Sequence, residues 1–303
     1  DGHELGTVSS QRARRLAHSD DAGHVDVYRA NDASGTADWV RMGEAIVGNA
    51  RGDFVGRPEG LRLSADGQRV AVLSPGSHGS ILTISAVRVF EYNADNDAWV
   101  QLGPQIDGQL QFDDTAVSYY SHIDLSADGN RLAFAVRYTG NAILETVGVY
   151  DYDAYYHSWK LTGGPILGPS PQTGFGRGVA MSADGSVILA GAREDNAGGM
   201  YSGSVYAYAW KSTEWVQIAA LFGDACPLCT TRDWLPRTHM GAGLAVTADG
   251  RKFVVGTSNY YILTYQAWLP SPPPPSPSSP SPPPSPPSSP AIEGYDEPDE
   301  TDR

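Results

Sequence analysis

Long apolar runs and basic charge are both scarce in this sequence of 303 residues. No apolar run approaches the roughly 20 residues of a membrane-spanning helix, so we expect no membrane span. Asp and Glu number 35 against 21 Lys and Arg, which gives a formal net charge of −14 at pH 7. Nucleic acid and anionic membrane surfaces would repel such a chain, so neither is an expected partner. The segment at Asp1 has no signal-peptide h-region, as expected of a chain that is already processed or that begins within a longer protein.

Sequence motifs for catalysis are also missing. The seven His residues are scattered, and there is no His-Glu-x-x-His helix and no Gly-x-Ser-x-Gly elbow. Acidic pairs such as Asp113-Asp114 fall in expected loops. The sequence therefore predicts no enzyme, no catalytic residue, no metal site and no cofactor. A polysaccharide hydrolase or lyase, with carboxylates gathered from several repeats around a channel, is one alternative.

Cysteine is nearly absent, with Cys226 and Cys229 forming a single Cys-Pro-Leu-Cys pair. Such a pair can be a redox site, half of a zinc site or a small disulfide loop. Because there is no second pair and no βαβ context, we predict a local disulfide between them, formed in an oxidising compartment. The sequence also has no Asn-x-Ser/Thr sequon, so any glycan would have to be O-linked.

What the sequence does contain is a repeated β-hairpin. In each copy, alternating apolar residues lead to Asp-Gly, and a second apolar run follows. Asp-Gly supplies the positive-φ positions of a tight type I′ turn. The clear copies are 61–72, 123–134, 179–190 and 244–255. A degenerate copy starts near Thr7, with residues 7–10 predicted as its first strand and residues 15–18 as its second.

A second repeated pattern, an alternating strand and a polar turn before Trp, accompanies each hairpin. Its copies reach Trp39, Trp99, Trp159 and Trp215, which lie 60, 60 and 56 residues apart. The alternation gives about four strands per repeat, which is the content of one propeller blade. We therefore predict an all-β fold, a β-propeller of about five four-stranded blades over residues 1–269, with six blades as the alternative. The pattern stops after Trp268, so the N-terminal residues or another molecule could supply an outer strand to the last repeat.

Residues 174–185, Gly-Phe-Gly-Arg-Gly-Val-Ala-Met-Ser-Ala-Asp-Gly, resemble the FG-GAP repeat of integrin α-subunit propellers and of many extracellular proteins. The resemblance implies a propeller over about 260 residues and no single function. Calcium-binding members carry Asp-x-Asp-x-Asp-Gly loops, whereas each turn here has one carboxylate, which disfavours calcium. The polar loops 19–21, 95–97 and 194–196 could gather calcium ligands, but we favour solvated turns.

Residues 270–290 form a Ser/Pro-rich segment, and 271–290 contain only these two residue types. Such a run adopts polyproline II and, at ~3.1 Å per residue, extends roughly 60 Å as a semi-rigid rod. Its Ser-Pro-Pro-Pro-Pro run resembles the hydroxyproline-rich glycoproteins of green-algal and plant extracellular matrices, and an unmodified linker is the alternative. The resemblance implies hydroxylation and O-glycosylation among Ser271, Pro272, Pro273, Pro274, Pro275, Ser276, Pro277, Pro280, Pro282, Pro283, Pro284, Pro286, Pro287 and Pro290. Residues 291–303 read as an acidic, solvated tail.

These features together predict a non-enzymatic structural subunit of a secreted, extracellular glycoprotein assembly, such as a cell-wall layer, a fibril or a flagellar hair. The blades would make contacts in a homo-oligomer or polymer, or with matrix glycoproteins and glycans. The rod would be a spacer or a segment that docks on a neighbour's aromatic residues. A lectin-like or adhesion propeller is the alternative. Aromatic residues that the repeat does not demand are the ligand candidates: Tyr119, Tyr120, Tyr155, Tyr156, Tyr201, Trp234, Tyr260 and Tyr261.

Overall fold

The structure, a computed structural model, describes residues 7–8, 22–31, 38–50, 52–74, 85–108, 122–139, 143–200, 202–223, 239–257 and 262–266. One compact unit spans Asp1–Leu269, and Pro270–Arg303 form a second unit. The predicted Ser/Pro rod and acidic tail fall wholly in that second unit and lie outside the described residues.

The described strands form five antiparallel sheets, each built from strands that are consecutive in sequence. The first sheet contains β1 (Thr7–Val8), β2 (His24–Asn31) and β3 (Asp38–Val47). The second contains β4 (Leu61–Leu63), β5 (Arg69–Ser74), β6 (Ala86–Asn93), β7 (Ala98–Gln101) and β8 (Ile106–Asp107), and a 3₁₀ turn at Pro58–Gly60 precedes it. The third contains β9 (Ile123–Leu125), β10 (Arg131–Thr139), β11 (Ile143–Asp153), β12 (Ser158–Leu161) and β13 (Ile166–Leu167). The fourth contains β14 (Phe175–Met181), β15 (Val187–Ala192), β16 (Ser204–Lys211) and β17 (Glu214–Phe222). The fifth contains β18 (Gly243–Val246), β19 (Lys252–Gly256) and β20 (Ile262–Gln266).

Four hydrophobic cores join these sheets face to face in chain order, from the first to the fifth. Strand β5 illustrates the arrangement, because Val70 and Val72 pack on the first sheet while Ala71 and Leu73 pack on the third. Period-two alternation therefore separates two apolar faces, and the strand is buried on both. Five sequential antiparallel sheets stacked in this way form a β-propeller of five blades, which confirms the predicted fold class.

The first blade corrects one strand assignment. Thr7 pairs with Val27 of β2, and the corresponding pair in the second blade is Ala71 with Val89. The Thr7–Val8 segment therefore lies where the second strand of a blade lies, although we predicted it as the first strand. The degenerate repeat lacks the Asp-Gly turn that pins the register of the other hairpins, so alternation alone could not place the segment.

Candidate functional site

The carboxylate of each Asp-Gly turn is bound by hydrogen bonds from its own hairpin. The Ser64 hydroxyl donates to Asp66 Oδ1 at 2.6 Å, and the Gln68 amide donates to the same oxygen at 2.9 Å. Ser64 Oγ in turn accepts a hydrogen bond from the Arg69 amide at 2.8 Å. The same arrangement recurs at Ser126/Asp128, Ser182/Asp184 and Thr247/Asp249. These carboxylates therefore close hairpins, which accounts for the repeated Ser/Thr-Ala-Asp-Gly sequence.

The turn geometry differs from the predicted type I′. Gly67 has a φ of 68°, but Asp66 does not adopt a positive φ. The Gly67 amide donates to the Ser64 carbonyl at 3.0 Å, and the Ser64 amide donates to the Arg69 carbonyl at 2.9 Å. Four residues therefore close the hairpin, with a type I turn that ends at a left-handed glycine. The Ser-to-Asp hydrogen bond explains the difference, because it holds the Asp in place and leaves the glycine to reverse the chain.

Successive turns are also joined to one another through their backbones. The Ala65 amide donates to the Ala127 carbonyl at 2.7 Å, Ala127 to Ala183 at 2.8 Å, and Ala183 to Ala248 at 3.0 Å. Ala127 and Ala183 thus each donate to the next blade and accept from the previous one, while Ala65 only donates and Ala248 only accepts. This row of alanines, which we call the turn ladder, crosses from the second blade to the fifth.

A partly buried ion pair links the first strands of the second, third and fourth blades. Arg62 Nε lies 2.9 Å from Asp124 Oδ1, and the Met181 amide donates to Asp124 Oδ2 at 2.7 Å. Burial raises the pKa of Asp124, while Arg62 and the amide donors act in the opposite direction. Arg62 and the Met181 amide, which meet at this carboxylate, thus join the third blade to the second and the fourth.

His122 lies two residues before Asp124 and is the most strongly perturbed histidine of the described residues. Burial lowers its pKa to about 4; Glu59 opposes this shift, while Arg62 and Arg177 add to it. Within the described part of the chain, its Nδ1 atom is buried and has no hydrogen-bond partner. The imidazole is therefore neutral at pH 7 and is held by packing.

A second buried carboxylate crosses the seam between the third and fourth blades. Glu145 Oε2 accepts hydrogen bonds from the Thr173 hydroxyl at 3.1 Å and from the Phe175 amide at 3.0 Å. Its other oxygen lies 3.3 Å from Arg137 Nε. Phe175 is the aromatic residue of the FG-GAP-like segment, so this segment is anchored to the preceding blade.

Two of the three polar loops considered as calcium sites, 95–97 and 194–196, are used within the fold, and the third, 19–21, lies outside the described residues. Asp97 Oδ1 accepts hydrogen bonds from the Gly43 amide at 2.9 Å and from the Tyr92 hydroxyl at 2.6 Å. Glu194 pairs with Arg177 at 3.0 Å, and Asp195 accepts from the Tyr206 hydroxyl at 2.6 Å. In the part of the chain that the structure describes, no three His, Cys, Asp or Glu side chains are grouped to hold a metal ion.

The repeated Trp residues form a regular hydrogen-bonded seam between blades. The indole Nε1 of Trp99 donates to the Met42 carbonyl at 2.8 Å, Trp159 donates to Leu102 at 2.8 Å, and Trp215 donates to Thr162 at 3.1 Å. In each case the acceptor lies in the preceding blade, three residues after that blade's own Trp. Trp39 in the first blade is the exception, with 53% of its surface exposed.

An exposed aromatic pair, Tyr155 and Tyr156, lies at the turn between β11 and β12. The two side chains are 84% and 65% exposed, and their rings meet edge to face with centroids 4.8 Å apart. Asp153 Oδ1 accepts a hydrogen bond from each tyrosine amide at 3.0 Å, and Lys160 Nζ lies 4.2 Å from the centroid of the Tyr156 ring. Asp95 and Asn96 occupy the matching turn of the second blade. The tyrosines are therefore a feature of this blade alone, and we call them the tyrosine tip.

Other predicted site residues lie outside the described residues. They include Cys226 and Cys229, every Ser and Pro of the rod, and the aromatic candidates Tyr119, Tyr120, Tyr201, Trp234, Tyr260 and Tyr261. The predicted disulfide and the predicted proline modification therefore stay predictions. Among the described residues, no helix has the length and apolar character needed to cross a membrane.

No protein-family model and no curated protein matches this chain. Solved structures similar to it include the Dos1 propeller (10% identity, TM-score 0.44, covering 82% of this chain and 51% of that one). The β-propeller domain of the Trilobed protease from Pyrococcus furiosus is similar at 9% identity and a TM-score of 0.40, over 83% of this chain and 64% of that one. An α-L-arabinanase of Penicillium chrysogenum, complexed with arabinobiose, is similar at 12% identity and a TM-score of 0.47, over 88% and 77%. The chain thus spans about half of the Dos1 propeller, and likenesses this remote carry no information about activity or ligands.

Proposed function

We propose that this chain is a non-enzymatic structural subunit of an extracellular glycoprotein assembly, such as a cell-wall layer, a fibril or a flagellar hair. Its propeller makes the contacts, and its Ser/Pro segment, residues 271–290, is an O-glycosylated spacer or docking rod. The observation that carries the proposal is the tyrosine tip, because two large aromatic side chains point into solvent at a turn where the repeat needs only small polar residues.

The tip suits contact with a partner because it is held rigid. The two amide hydrogen bonds to Asp153 fix the backbone of the turn, and Lys160 pairs with the other oxygen of Asp153 at 2.5 Å. Little side-chain and loop entropy is therefore lost when a ligand binds to the rings. The two rings meet edge to face and are exposed, and exposed aromatic side chains are what polyproline II segments dock on.

The charged groups inside the propeller favour contact over catalysis. Asp124, Glu145 and Glu194 each hold an arginine or a backbone amide of another strand. A glycosidase needs two carboxylates that face a substrate, roughly 5–10 Å apart. Carboxylates that bind strands together in this way support a structural role for them.

A lectin-like or adhesion propeller is the second candidate, and the same tip favours it, because tyrosine rings also stack on the apolar faces of sugars. The two functions differ in the ligand that binds the rings. For the assembly we expect the proline-rich rod of a neighbouring copy or of a matrix glycoprotein, and for the lectin a glycan without any peptide.

Titration calorimetry with defined ligands separates these cases. The ligands are a Ser-Pro-Pro-Pro-Pro peptide, its hydroxylated and O-glycosylated forms, and oligosaccharides released from matrix material. We expect saturable binding of a proline-rich ligand, weakened about five- to 150-fold by the double change Tyr155→Ala and Tyr156→Ala, since each aromatic contact contributes about 0.5–1.5 kcal/mol. Trp39→Ala, which removes another exposed aromatic ring, is the control and should bind normally.

Electron microscopy of the protein as secreted by its source tests the assembly directly. Regular filaments or sheets with a propeller-sized repeat are the expected result, with extra density along the rod where glycans are attached. Dispersed particles that bind oligosaccharides but no proline-rich ligand would move the assignment to the lectin. Dispersed particles that bind neither ligand would refute both candidates.

A further inference from the structure

We propose that copies of this chain associate end to end, with the outward face of the first sheet of one copy packed on the outward face of the fifth sheet of another. The inference builds on the proposed role as an assembly subunit, but it uses residues remote in sequence from the tyrosine tip. It names the partner as a second copy of this chain.

Within the part of the chain that the structure describes, the first sheet lacks the neighbour that covers the same positions in every later blade. Phe90, Tyr150 and Tyr208 occupy one position of the third strand in their blades, and each is buried against the preceding sheet. Tyr28 holds this position in the first blade and is only partly buried. Beside it, Trp39 is 53% exposed, and the described residues offer its indole no carbonyl such as Trp99 has.

Among the described residues, the fifth sheet lacks a neighbouring sheet on its opposite face. Ala71, Ala133 and Leu189 occupy one position of the second strand, and each is buried against the sheet that follows. Val254 holds the same position in the fifth blade and is partly exposed. Ala245 on the adjoining strand is exposed as well, whereas Ala180 in the fourth blade is buried.

These two faces are the two halves of the seam that the repeat forms internally. At each of the four internal seams, one sheet packs the face that is turned toward the next blade against the face of the next sheet that is turned back toward it. Among the described strands, β1–β3 and β18–β20 make no extensive contact with each other. A second copy can therefore supply the missing sheet at either end with surfaces that the repeat has already matched.

Because the two faces differ, the contact joins unlike surfaces, and each copy keeps one unused face for the next. Such head-to-tail contacts close into rings or continue as filaments, depending on the rotation between copies. The indole of Trp39 is expected to donate its Nε1 hydrogen to a backbone carbonyl of the neighbouring copy, as the three internal Trp residues do.

Analytical ultracentrifugation of the full chain over a wide concentration range tests the association. We expect a mass that rises with concentration for the unmodified protein. Trp39→Glu, on the first face, and Val254→Glu, on the fifth, should each weaken self-association at least tenfold. Tyr155→Ala, in the tyrosine tip, is the control and should associate normally. Circular dichroism confirms that each variant is folded.

Mixing the two end variants gives the most specific result. The Trp39→Glu protein keeps an intact fifth-sheet face, and the Val254→Glu protein keeps an intact first-sheet face, so a mixture should form 1:1 dimers that grow no further. A like-to-like interface would instead let one of the two variants form dimers on its own, and mixing would produce no additional dimer. The inference is refuted if the unmodified protein stays monomeric at every concentration, or if Trp39→Glu associates as strongly as the unmodified protein. Since ligand binding by the tyrosine tip is measured on monomers, either result leaves the proposed function to its own test.

Discussion

Acidification from pH 7 to pH 5 should destabilise this propeller through a single buried histidine. The pKa of His122 is about 4 in the folded protein and 6.5 in its unperturbed state. Because the unfolded chain takes up the proton first, stability is lost as the pH falls below 6.5, and the loss stops growing near pH 4. Each pH unit in this range lowers the free energy of unfolding by about 1.4 kcal/mol. At pH 5, which is about 1.5 units below 6.5, the free energy of unfolding has therefore fallen by about 2 kcal/mol.

Urea unfolding of the unmodified protein and of His122→Gln, each at pH 7 and pH 5, measures this loss. The glutamine keeps a polar side chain of similar length but takes up no proton, so the variant should lose about 2 kcal/mol less between the two pH values. Two carboxylates titrate in both proteins, Asp124 and Asp128. Burial raises the pKa of Asp124. Burial also acts to raise the pKa of Asp128, but the hydrogen bonds of its turn outweigh burial and lower that pKa. Equal losses in the two proteins would show that the imidazole is hydrated and that the argument from burial is wrong.

Two further changes test the seams between blades. Trp159→Phe removes an indole hydrogen bond and should lower stability by about 1 kcal/mol, which is roughly 2–4 °C in Tm by calorimetry. Trp39→Phe is the control and should leave Tm unchanged. Equal shifts in Tm would contradict the stabilising role of the Trp hydrogen bonds between blades. Gly191→Ala would place a Cβ 1.9 Å from the Gly241 carbonyl oxygen, so the fifth blade would have to shift away from the fourth. Limited proteolysis should then release the fifth blade. Gly243→Ala, which has open space around it, is the control and should resist cleavage like the unmodified protein.

Sequence reasoning was most successful where a residue type dictates a local conformation. The Asp-Gly hairpins and the strand before each Trp were predicted from two-residue alternation, and both are present in the described blades. The turn type was wrong because the Ser64 hydroxyl, which binds Asp66, was not considered as a partner. Hydrogen bonds between side chain and turn thus decide details that propensity leaves open.

The contacts between blades were largely missed, because many of them are made by backbone atoms. A related backbone contact within each blade did leave a signal in the sequence: Gly48, Gly108, Gly168 and Gly223 recur at nearly the repeat spacing. The amide of each donates to a carbonyl at the start of the third strand of its blade, at 2.7–3.1 Å, and little room remains there for a side chain. The tyrosine tip, by contrast, could be selected in advance because Tyr155 and Tyr156 interrupt the repeat.

The turn ladder has a consequence for how such a protein can change over evolution. Its hydrogen bonds join backbone amides to backbone carbonyls from Ala65 to Ala248, so they do not depend on which side chains the neighbouring blades carry. A duplicated repeat could enter the array and form the same backbone hydrogen bonds with the blades on both sides of it. After the loss of a repeat, the two blades that become neighbours could still form these hydrogen bonds with each other. Blade number can therefore vary among descendants of such a gene without any new set of compensating substitutions at the centre of the fold.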